Sequence, residues 1–273
     1  MYESFWQLES KPFENAADPA YYVPLETHQA ALLKLRYAIE SNRGAALLAG
    51  MPGVGKTLIV HALVSQLGPQ YAPITHVVFP QMPADQLLAY IAESLSGLPA
   101  TNAPPSIDRS VRVIEQQLWQ NTEAGRHAVL IVDEAQDLEE MGALETIRLL
   151  LNFQFDMRPP LTVLLVGQPA LLPALDRMSE LDERMGVKCL LRPLTQQETT
   201  HYIQHRLQAA GAKREVFSAA ALAMIHQLTH GVPRRINRLC DLALLIGFAE
   251  ERATIDQQLV ESVAEELVAT TSE

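Results

Sequence analysis

The chain has 273 residues, of which 48% are hydrophobic and 19% charged, a composition that suits one large or two modest domains with a well-buried core. Its formal net charge of -11 disfavours strong non-specific binding to DNA or anionic lipid, and its two cysteines are too few for a disulfide framework or a cysteine-rich metal site. Because the sequence shows neither a signal-peptide pattern nor an apolar run of roughly 18 residues, we expect a cytoplasmic protein; if it works at the inner membrane, partners must carry it there.

The first 40 residues predict an irregular segment and then a helix, both packed on a larger domain. Residues 1–24 are rich in aromatic residues and prolines, a mixture typical of chain that lies irregularly over a surface. From Thr27, the expected N-cap, apolar residues recur at helical spacing until Gly44 closes the helix.

A glycine-rich loop lies between an apolar strand at 45–49 and a helix at 58–67. Its sequence Gly-Met-Pro-Gly-Val-Gly-Lys-Thr has the spacing of a phosphate-binding loop. Gly50 and Gly55 let the backbone curl until successive N–H groups point at one anion, and the Lys56 ammonium reaches the β- and γ-phosphates of ATP. The residues of this segment expected to bind the nucleotide are Gly50, Pro52, Gly53, Val54, Gly55, Lys56, Thr57 and Leu58.

Two further ligand contacts are expected near this loop. The Thr57 hydroxyl is placed to bind Mg²⁺, as the hydroxyl residue of such loops does. Tyr22 and Val23 are candidates for covering the adenine ring, and packing in a core explains these two residues equally well.

Strand and helix patterns alternate after the loop. We predict a strand at 74–79, helices at 84–95 and 107–121, and a polar loop through Pro104 and Pro105 between those helices. This alternation is typical of a parallel sheet covered by helices.

The next strand, at 128–132, is a continuous apolar run that ends in Asp133 and Glu134. Such a run indicates a strand buried on both faces, and ligands bind at the carboxyl ends of strands in open parallel sheets. We expect Asp133 to hold Mg²⁺ through water, and Glu134 to orient and deprotonate the water that attacks the γ-phosphate.

A helix at 142–154 and a strand at 161–166 lead to Gln168. The amide of Gln168 is expected to hydrogen-bond the γ-phosphate and the attacking water. The following helix, at 170–185, carries Arg184 near its end. In a sheet of this kind, an arginine at that position points away from the phosphate loop of its own chain. Arg184 is therefore a candidate for completing the site of a neighbouring subunit.

After a last strand at 186–191 only helices are predicted, so we divide the chain into an α/β domain at 41–192 and an α-helical lid domain at 193–273. Arg234, in the first turn of the third lid helix, is expected to reach the γ-phosphate when the lid closes. The residues expected to cap or begin the lid helices are Thr195 with Glu198, Ser218, Pro233 and Asp256.

The phosphate loop, the acidic pair, Arg184 and the segment around Arg234, in this order, resemble an AAA+ ATPase. Further segments resemble the ExeA (general secretion pathway protein A) family, which includes pilus-biogenesis ATPases. These segments are Tyr-Glu-Ser-Phe-Trp-Gln-Leu at 2–8, Lys-Pro-Phe at 11–13, Asp-Pro at 18–19, Val-Gly-Gln-Pro at 166–169 and the arginine-rich lid segment at 231–241.

The resemblance implies a P-loop NTPase fold, a three-layer α/β core with a parallel sheet and a C-terminal all-α lid. The implied roles are Walker A for Lys56 and Thr57, Walker B for Asp133 and Glu134, sensor 1 for Gln168, arginine finger for Arg184 and sensor 2 for Arg234. Leu58 stands where many relatives have a second threonine. The secretion ATPase continues into a transmembrane span and a periplasmic region, so we expect a stand-alone member or a piece of a longer protein.

Three functions remain in view. We favour an ATP- and Mg²⁺-dependent mechanoenzyme that assembles into a ring or filament and drives a secretion or pilus-type machine. A DNA-transaction ATPase, of the transposition target-selection or initiator type, is supported by basic residues and opposed by the net charge of -11. An ATP-gated scaffold with little turnover fits less well because it has no need of Glu134. The basic residues are Lys213, Arg214, Arg234, Arg235 and Arg238.

Overall fold

The computed structural model describes residues 1–14, 23–97 and 106–269. The chain divides into two compact units, each built from separate stretches of sequence. The helical unit comprises Met1–Glu26, Pro52–Leu58 and Arg192–Glu273, and the sheet unit comprises Thr27–Met51 and Ile59–Leu191.

The elements follow one another along the chain as α1 (Glu3–Trp6), α2 (Glu26–Glu40), β1 (Ala45–Gly50), α3 (Lys56–Gln66), β2 (Ile74–Val77), α4 (Ala84–Ser96), α5 (Ile107–Glu123), β3 (Ala128–Val132), α6 (Asp137–Glu140), α7 (Leu144–Leu150), β4 (Leu161–Gly167), α8 (Leu171–Asp176), α9 (Ser179–Asp182), β5 (Met185–Leu191), α10 (Gln196–Ala209), α11 (Ala219–Thr229), α12 (Pro233–Ala249) and α13 (Gln257–Ala269).

All five strands run parallel in one sheet with the order β2-β3-β4-β1-β5. Every residue of β1, β3 and β4 is buried, which confirms that these apolar runs are strands covered on both faces. Because the strands are parallel, their carboxyl ends meet at one edge of the sheet. The residues that follow β3 and β4 therefore lie side by side at that edge.

The opposite, amino-terminal edge is held by a buried histidine. His127 Nε2 lies 2.9 Å from Thr162 Oγ1, whose hydroxyl donates to the Arg43 carbonyl at 2.8 Å. Since the single hydroxyl proton is used on Arg43, the threonine oxygen must accept from His127, which fixes the proton on Nε2. Burial lowers the pKa of His127 to about 4, so the imidazole is neutral near pH 7.

The first residues of the chain form part of the core of the helical unit. Trp6, at the end of α1, is completely buried, and its indole N–H donates to the Leu244 carbonyl at 2.9 Å. The guanidinium of Arg214 lies 5.4 Å from the Trp6 ring, and the Glu9 N–H donates to the Ala210 carbonyl at 2.7 Å. The stretch Met1–Glu26 belongs to the helical unit, and the sheet unit begins at Thr27 in the first turn of α2.

The lid helices begin as predicted. Thr195 and Glu198 form a complete capping box, Ser218 accepts from the Ala221 N–H, and Pro233 is the first residue of α12. The Arg192 guanidinium, hydrogen-bonded to Glu198 at 2.6 Å, lowers the pKa of that carboxyl to about 2. The start of α10 is thus fixed by an ion pair as well as by the capping box.

Several predicted boundaries were wrong. The strand at 74–79 ends at Val77, and the helix predicted at 142–154 is shortened to α7, Leu144–Leu150. The short helix α6, Asp137–Glu140, precedes it and was not predicted. The helix at 170–185 is interrupted at Arg177–Met178, which separates α8 from α9. Thr27 is not an N-cap because α2 already begins at Glu26.

Two sequence predictions lie outside the part of the chain that the structure describes, namely the role of Tyr22 and the loop through Pro104 and Pro105. Among the helices that are described, none is both long and apolar enough to span a lipid bilayer.

Candidate active site

The glycine-rich loop leaves the carboxyl end of β1 and enters α3 at Lys56. Gly53 and Gly55 have φ angles of +82° and +104°, values in the left-handed region that favours glycine. The prediction of a curled backbone is therefore right at Gly55, but the second such position is Gly53. Gly50, predicted for that role, is instead the last residue of β1.

The loop lies directly against the start of α12 within the helical unit. The Arg234 N–H donates to the Gly53 carbonyl at 3.2 Å. A Cβ added at Gly53 would lie 2.8 Å from the Cβ of Arg234 and 3.2 Å from Cγ1 of Val232. Only a glycine allows this approach, so the structure brings the predicted phosphate loop and the predicted lid arginine together through their backbones.

The polar residues of the loop occupy the first turn of α3. Lys56 is only 6% exposed, whereas the next residue, Thr57, is exposed. No acidic residue lies in the first turn of α3, so the positive end of the helix dipole adds to the lysine charge without an opposing carboxylate on that turn. Of the neighbouring candidates, Val54 is buried, Leu58 is half-buried and Pro52 is exposed.

The acidic pair follows β3 at the carboxyl edge of the sheet. Asp133 is 8% exposed, and its N–H donates to the Val77 carbonyl at 2.9 Å. Glu134 is exposed and has a φ of 46°, while its N–H donates to Asp133 Oδ1 at 2.9 Å. A glutamate in this left-handed conformation is sparsely populated and persists only where neighbouring contacts hold it, a situation common at functional sites.

Gln136 links this pair to the adjacent strand. Its Nε2 donates to Glu134 Oε2 at 2.8 Å and to Asp137 Oδ1 at 3.2 Å, and its Oε1 accepts from the Gln168 N–H at 3.0 Å. Gln136 was not predicted from the sequence. An amide side chain two residues after an acidic pair was the only indication in the sequence. No nearby residue indicated that Gln136 would also contact Gln168 on another strand.

Gln168 follows β4 directly, so it lies beside the acidic pair at the same edge, with a half-buried side chain. His76 on β2 is also close enough to Asp133 to interact with it electrostatically. Burial lowers the pKa of His76 despite the opposing effect of Asp133, so the imidazole is neutral near pH 7. It therefore adds no positive charge beside the candidate metal ligand.

Arg184 lies at the other edge of the sheet. Its carbonyl accepts from the N–H of Ala45, the first residue of β1, at 3.2 Å. Its guanidinium donates to the Leu151 carbonyl at 2.6 Å and to Asn152 Oδ1 at 2.7 Å. The structure thus separates Arg184 from the edge that carries Asp133. A role in the site of a neighbouring subunit stays a prediction.

Val23, the described member of the predicted adenine pair, is buried in the apolar core of the helical unit, where its carbonyl accepts from the Leu25 N–H at 2.8 Å. These contacts account for its burial. A contact with adenine stays a prediction.

Comparison with known proteins gives one family and one curated relative. A family model described as AAA domain matches residues 39–175. General secretion pathway protein A of Aeromonas hydrophila is 36% identical over 255 residues, which are 91% of this chain and 45% of the relative. The chain therefore spans less than half the length of the curated relative that it matches.

Two solved structures with the same fold are those of an ORC2 protein and of an ORC. The Aeropyrum pernix ORC2 protein, in ADPNP-ADP complexes, has a TM-score of 0.69 at 18% identity, covering 94% of this chain and 72% of that one. Drosophila ORC bound to DNA has a TM-score of 0.71 at 16% identity, covering 98% of this chain and 66% of that one. At these identities the likeness establishes the fold alone, which confirms the prediction of a P-loop NTPase core with additional helices.

Proposed function

We propose that this chain, which belongs to the AAA+ ATPases, binds ATP with Mg²⁺ and hydrolyses it to ADP and phosphate. Its AAA domain and its likeness to general secretion pathway protein A support the proposal. The observation that carries this proposal is the contact of Gly53 with Arg234. It joins a loop of phosphate-binding sequence to an arginine that lies 181 positions later in the chain (234 − 53). Residues so far apart in sequence are brought together by the tertiary fold and not by local structure.

The residues of the loop fit a triphosphate. Gly53 and Gly55 have φ angles in the left-handed region, which a loop needs if its successive N–H groups are to converge on one anion, and Lys56 lies at the start of a helix without acidic residues in its first turn. We infer that the loop amides and Lys56 bind the β- and γ-phosphates. Arg234, whose charge is permanent, would bind the γ-phosphate from the lid.

The available oxygen ligands also fit Mg²⁺, which prefers carboxylate, hydroxyl and water oxygens. The Thr57 hydroxyl and, through water, the Asp133 carboxylate would hold it. When bound, Mg²⁺ offsets the negative charge that develops on the phosphate oxygens during transfer. The bond from the Glu134 N–H to Asp133 Oδ1 fixes one oxygen of this carboxylate relative to the neighbouring residue.

In the hydrolytic step, Glu134 accepts a proton from a water molecule while the water oxygen bonds to the γ-phosphorus and the bond to the β-γ bridging oxygen breaks. The exposure of Glu134 at the strand end supports this role, since a general base must reach a water molecule. The Gln168 amide would orient the water and contact the γ-phosphate. ADP and inorganic phosphate are the products.

We extend the proposal to the assembly. Arg184 would enter the site of a neighbouring copy in a ring or filament, after exchanging its bonds to Leu151 and Asn152 for phosphate oxygens. An arginine supplied in trans raises turnover by about 10³ to 10⁵ in phosphoryl transfer. The likeness to general secretion pathway protein A supports a machine of the secretion or pilus type as the object of the work, with partners at the inner membrane.

One observation favours DNA as a second candidate partner. Arg234, Arg235 and Arg238 are all exposed in the first two turns of α12, where they form a local positive surface on a chain with a net charge of -11. One protein of the same fold, Drosophila ORC, is bound to DNA in its solved structure. In the pair Lys213–Arg214 both residues are exposed, and the Arg214 guanidinium also lies 5.4 Å from the Trp6 ring.

Light scattering coupled to size exclusion, with and without ATP-Mg²⁺ and with and without double-stranded DNA, distinguishes these partners. We expect ATP-Mg²⁺ alone to produce a defined oligomer that DNA does not change. Large assemblies that form only on DNA, and that dissolve as salt is raised, would replace the secretion-type proposal by the DNA one.

A further inference from the structure

Three loops are joined by hydrogen bonds at the carboxyl edge of the sheet. Gln81, after β2, donates to Asp137 Oδ2 at 3.0 Å, and Asp137 Oδ1 accepts from Gln136 at 3.2 Å. Gln136 in turn contacts Glu134 on its own loop and the backbone of Gln168 after β4. Since β3 lies between β2 and β4, the Gln136 side chain lies at the centre of this network.

The orientation of the Gln136 amide is fixed by its partners. The Gln168 N–H can only donate, so the atom that faces it at 3.0 Å must be the amide oxygen. The two carboxylates, Glu134 and Asp137, can only accept when ionised, so they must face the NH₂ group. A flipped amide would oppose donor to donor and acceptor to acceptor at all three contacts.

The end of β4 is shaped to admit this amide. A Cβ at Gly167 would lie 2.8 Å from Gln136 Oε1, 3.3 Å from the Ala135 N and 3.4 Å from the Gln136 N. Gly167 is not among the glycines with positive φ, so its backbone does not require glycine. The space for Gln136 is therefore what excludes a larger residue at position 167.

We propose that Gln136 is a positioning residue that couples the end of β4 to the Glu134 carboxylate. Because the Gln136 amide bonds to both, a shift of the residue 168 backbone would reorient the Glu134 side chain. The inference rests on the proposed ATPase function, because it concerns the same base. Contact of the Gln168 side chain with the γ-phosphate would be transmitted through its own N–H to Gln136 and from there to Glu134. Gln136 itself does not touch the reacting atoms.

The geometry makes the coupling direct. Glu134 has an unusual φ of 46°, and its loop is tied to β4 by the bond from the Ala135 N–H to the Val166 carbonyl at 2.9 Å. With the backbone held in this way, the remaining freedom of Glu134 is in its side chain. The Gln136 donor at 2.8 Å restrains that side chain.

The test compares four variants of the full chain with wild type. Gln136→Met keeps the side-chain length but removes both kinds of hydrogen bond, and Gln136→Glu keeps an acceptor for the Gln168 N–H but removes the donor to Glu134. Gly167→Ala displaces the Gln136 amide by placing a Cβ next to its oxygen, at the end of β4. Gln116→Met, on the exposed face of α5, is the matched control.

We expect kcat for ATP hydrolysis to fall by about 10- to 100-fold in Gln136→Met, Gln136→Glu and Gly167→Ala, because misplacing a catalytic group by about 1 Å costs up to about 100-fold. The Kd for ATP should stay near wild type in all three variants, as in Gln116→Met. The thermal midpoint should stay near wild type in the two Gln136 variants and fall in Gly167→Ala, because the added Cβ lies 2.8 Å from Gln136 Oε1. Added to Glu134→Gln, the Gln136→Met change should lower the residual kcat no further, since the two residues act through one base.

Three results would overturn the inference. Wild-type turnover in Gln136→Glu would show that the donor to Glu134 is irrelevant. In the two Gln136 variants, losses of stability or ATP affinity that parallel the loss of kcat would make Gln136 merely structural. Both results leave the ATPase proposal intact. If Glu134→Gln turns over ATP like wild type, the base assignment itself fails and this inference falls with it.

Discussion

An alanine at position 53 would place its Cβ 2.8 Å from the Cβ of Arg234 and 3.2 Å from Cγ1 of Val232, on a backbone with a φ of +82°. Two costs follow. The left-handed conformation costs an alanine roughly 1–2 kcal/mol more than a glycine. The Arg234 Cβ is fixed to the α12 backbone and cannot rotate away, so relief requires a backbone shift of the overpacking type, about 1–3 kcal/mol.

Gly125→Ala separates the two costs. Gly125 has a φ of +68°, and a Cβ there meets nothing within 4 Å, so only the conformational cost of roughly 1–2 kcal/mol applies. We expect urea unfolding to show a loss of about 2–5 kcal/mol for Gly53→Ala, against roughly 1–2 kcal/mol for the control. The difference between the variants measures the contact between the loop and α12.

The same pair of variants tests function. Because the shift needed at position 53 moves the loop away from Arg234, binding of a fluorescent ATP analogue should weaken by at least about tenfold in Gly53→Ala, an effect of about 1.4 kcal/mol. Binding by Gly125→Ala should equal that of wild type. If Gly53→Ala costs no more stability than Gly125→Ala and binds nucleotide normally, then the contact does not position the loop and our reasoning is wrong.

Two further predictions concern the amino-terminal edge of the sheet. Arg184→Ala should remove the assembly-dependent part of ATP turnover, about 10³ to 10⁵ in magnitude, with ATP affinity near wild type, and undiminished turnover would exclude Arg184 as the trans arginine. The control is Asn152→Ala, which removes one of the two hydrogen-bond partners of Arg184 and keeps the arginine. The pKa of His127 is lowered to about 4 from an ordinary value of about 6.5, so the native state binds fewer protons than the unfolded state between these pH values. The stability that this neutral histidine contributes is fully present above about pH 6.5 and is lost as the pH falls toward 4, at about 3 kcal/mol in total. Urea unfolding between pH 4.5 and 7.5 should show this slope in wild type and a flatter one in His127→Gln, and equal slopes would contradict the assignment.

The strands of the sheet could be predicted because each carries its own signal. Residues 128–132 form an uninterrupted apolar run, and the structure places β3 at exactly those residues. The caps of the lid helices were also predictable, since a pair such as Thr195 and Glu198 acts within one turn. The short helices could not be predicted in this way, because the break at Arg177–Met178 has no glycine beside it that would mark it in the sequence.

The contacts that organise the candidate site are not local, and this is why the sequence did not reveal them. Gly53 and Arg234 were each identified by pattern, but the requirement for glycine at position 53 comes from Arg234. Gln136 was overlooked because its role depends on the backbone of Gln168 on another strand. Likewise, Trp6 gave no sign in its own segment that it would lie in the core of the C-terminal helices.

The central claim, that Lys56 and Glu134 bind and hydrolyse ATP, is tested most directly by single-turnover hydrolysis of radiolabelled ATP with Mg²⁺. We predict that wild type releases phosphate, that Lys56→Ala fails to bind ATP, and that Glu134→Gln binds ATP as wild type does but retains it uncleaved. Phosphate release by Glu134→Gln at the wild-type rate, or full activity of Lys56→Ala, would contradict the account.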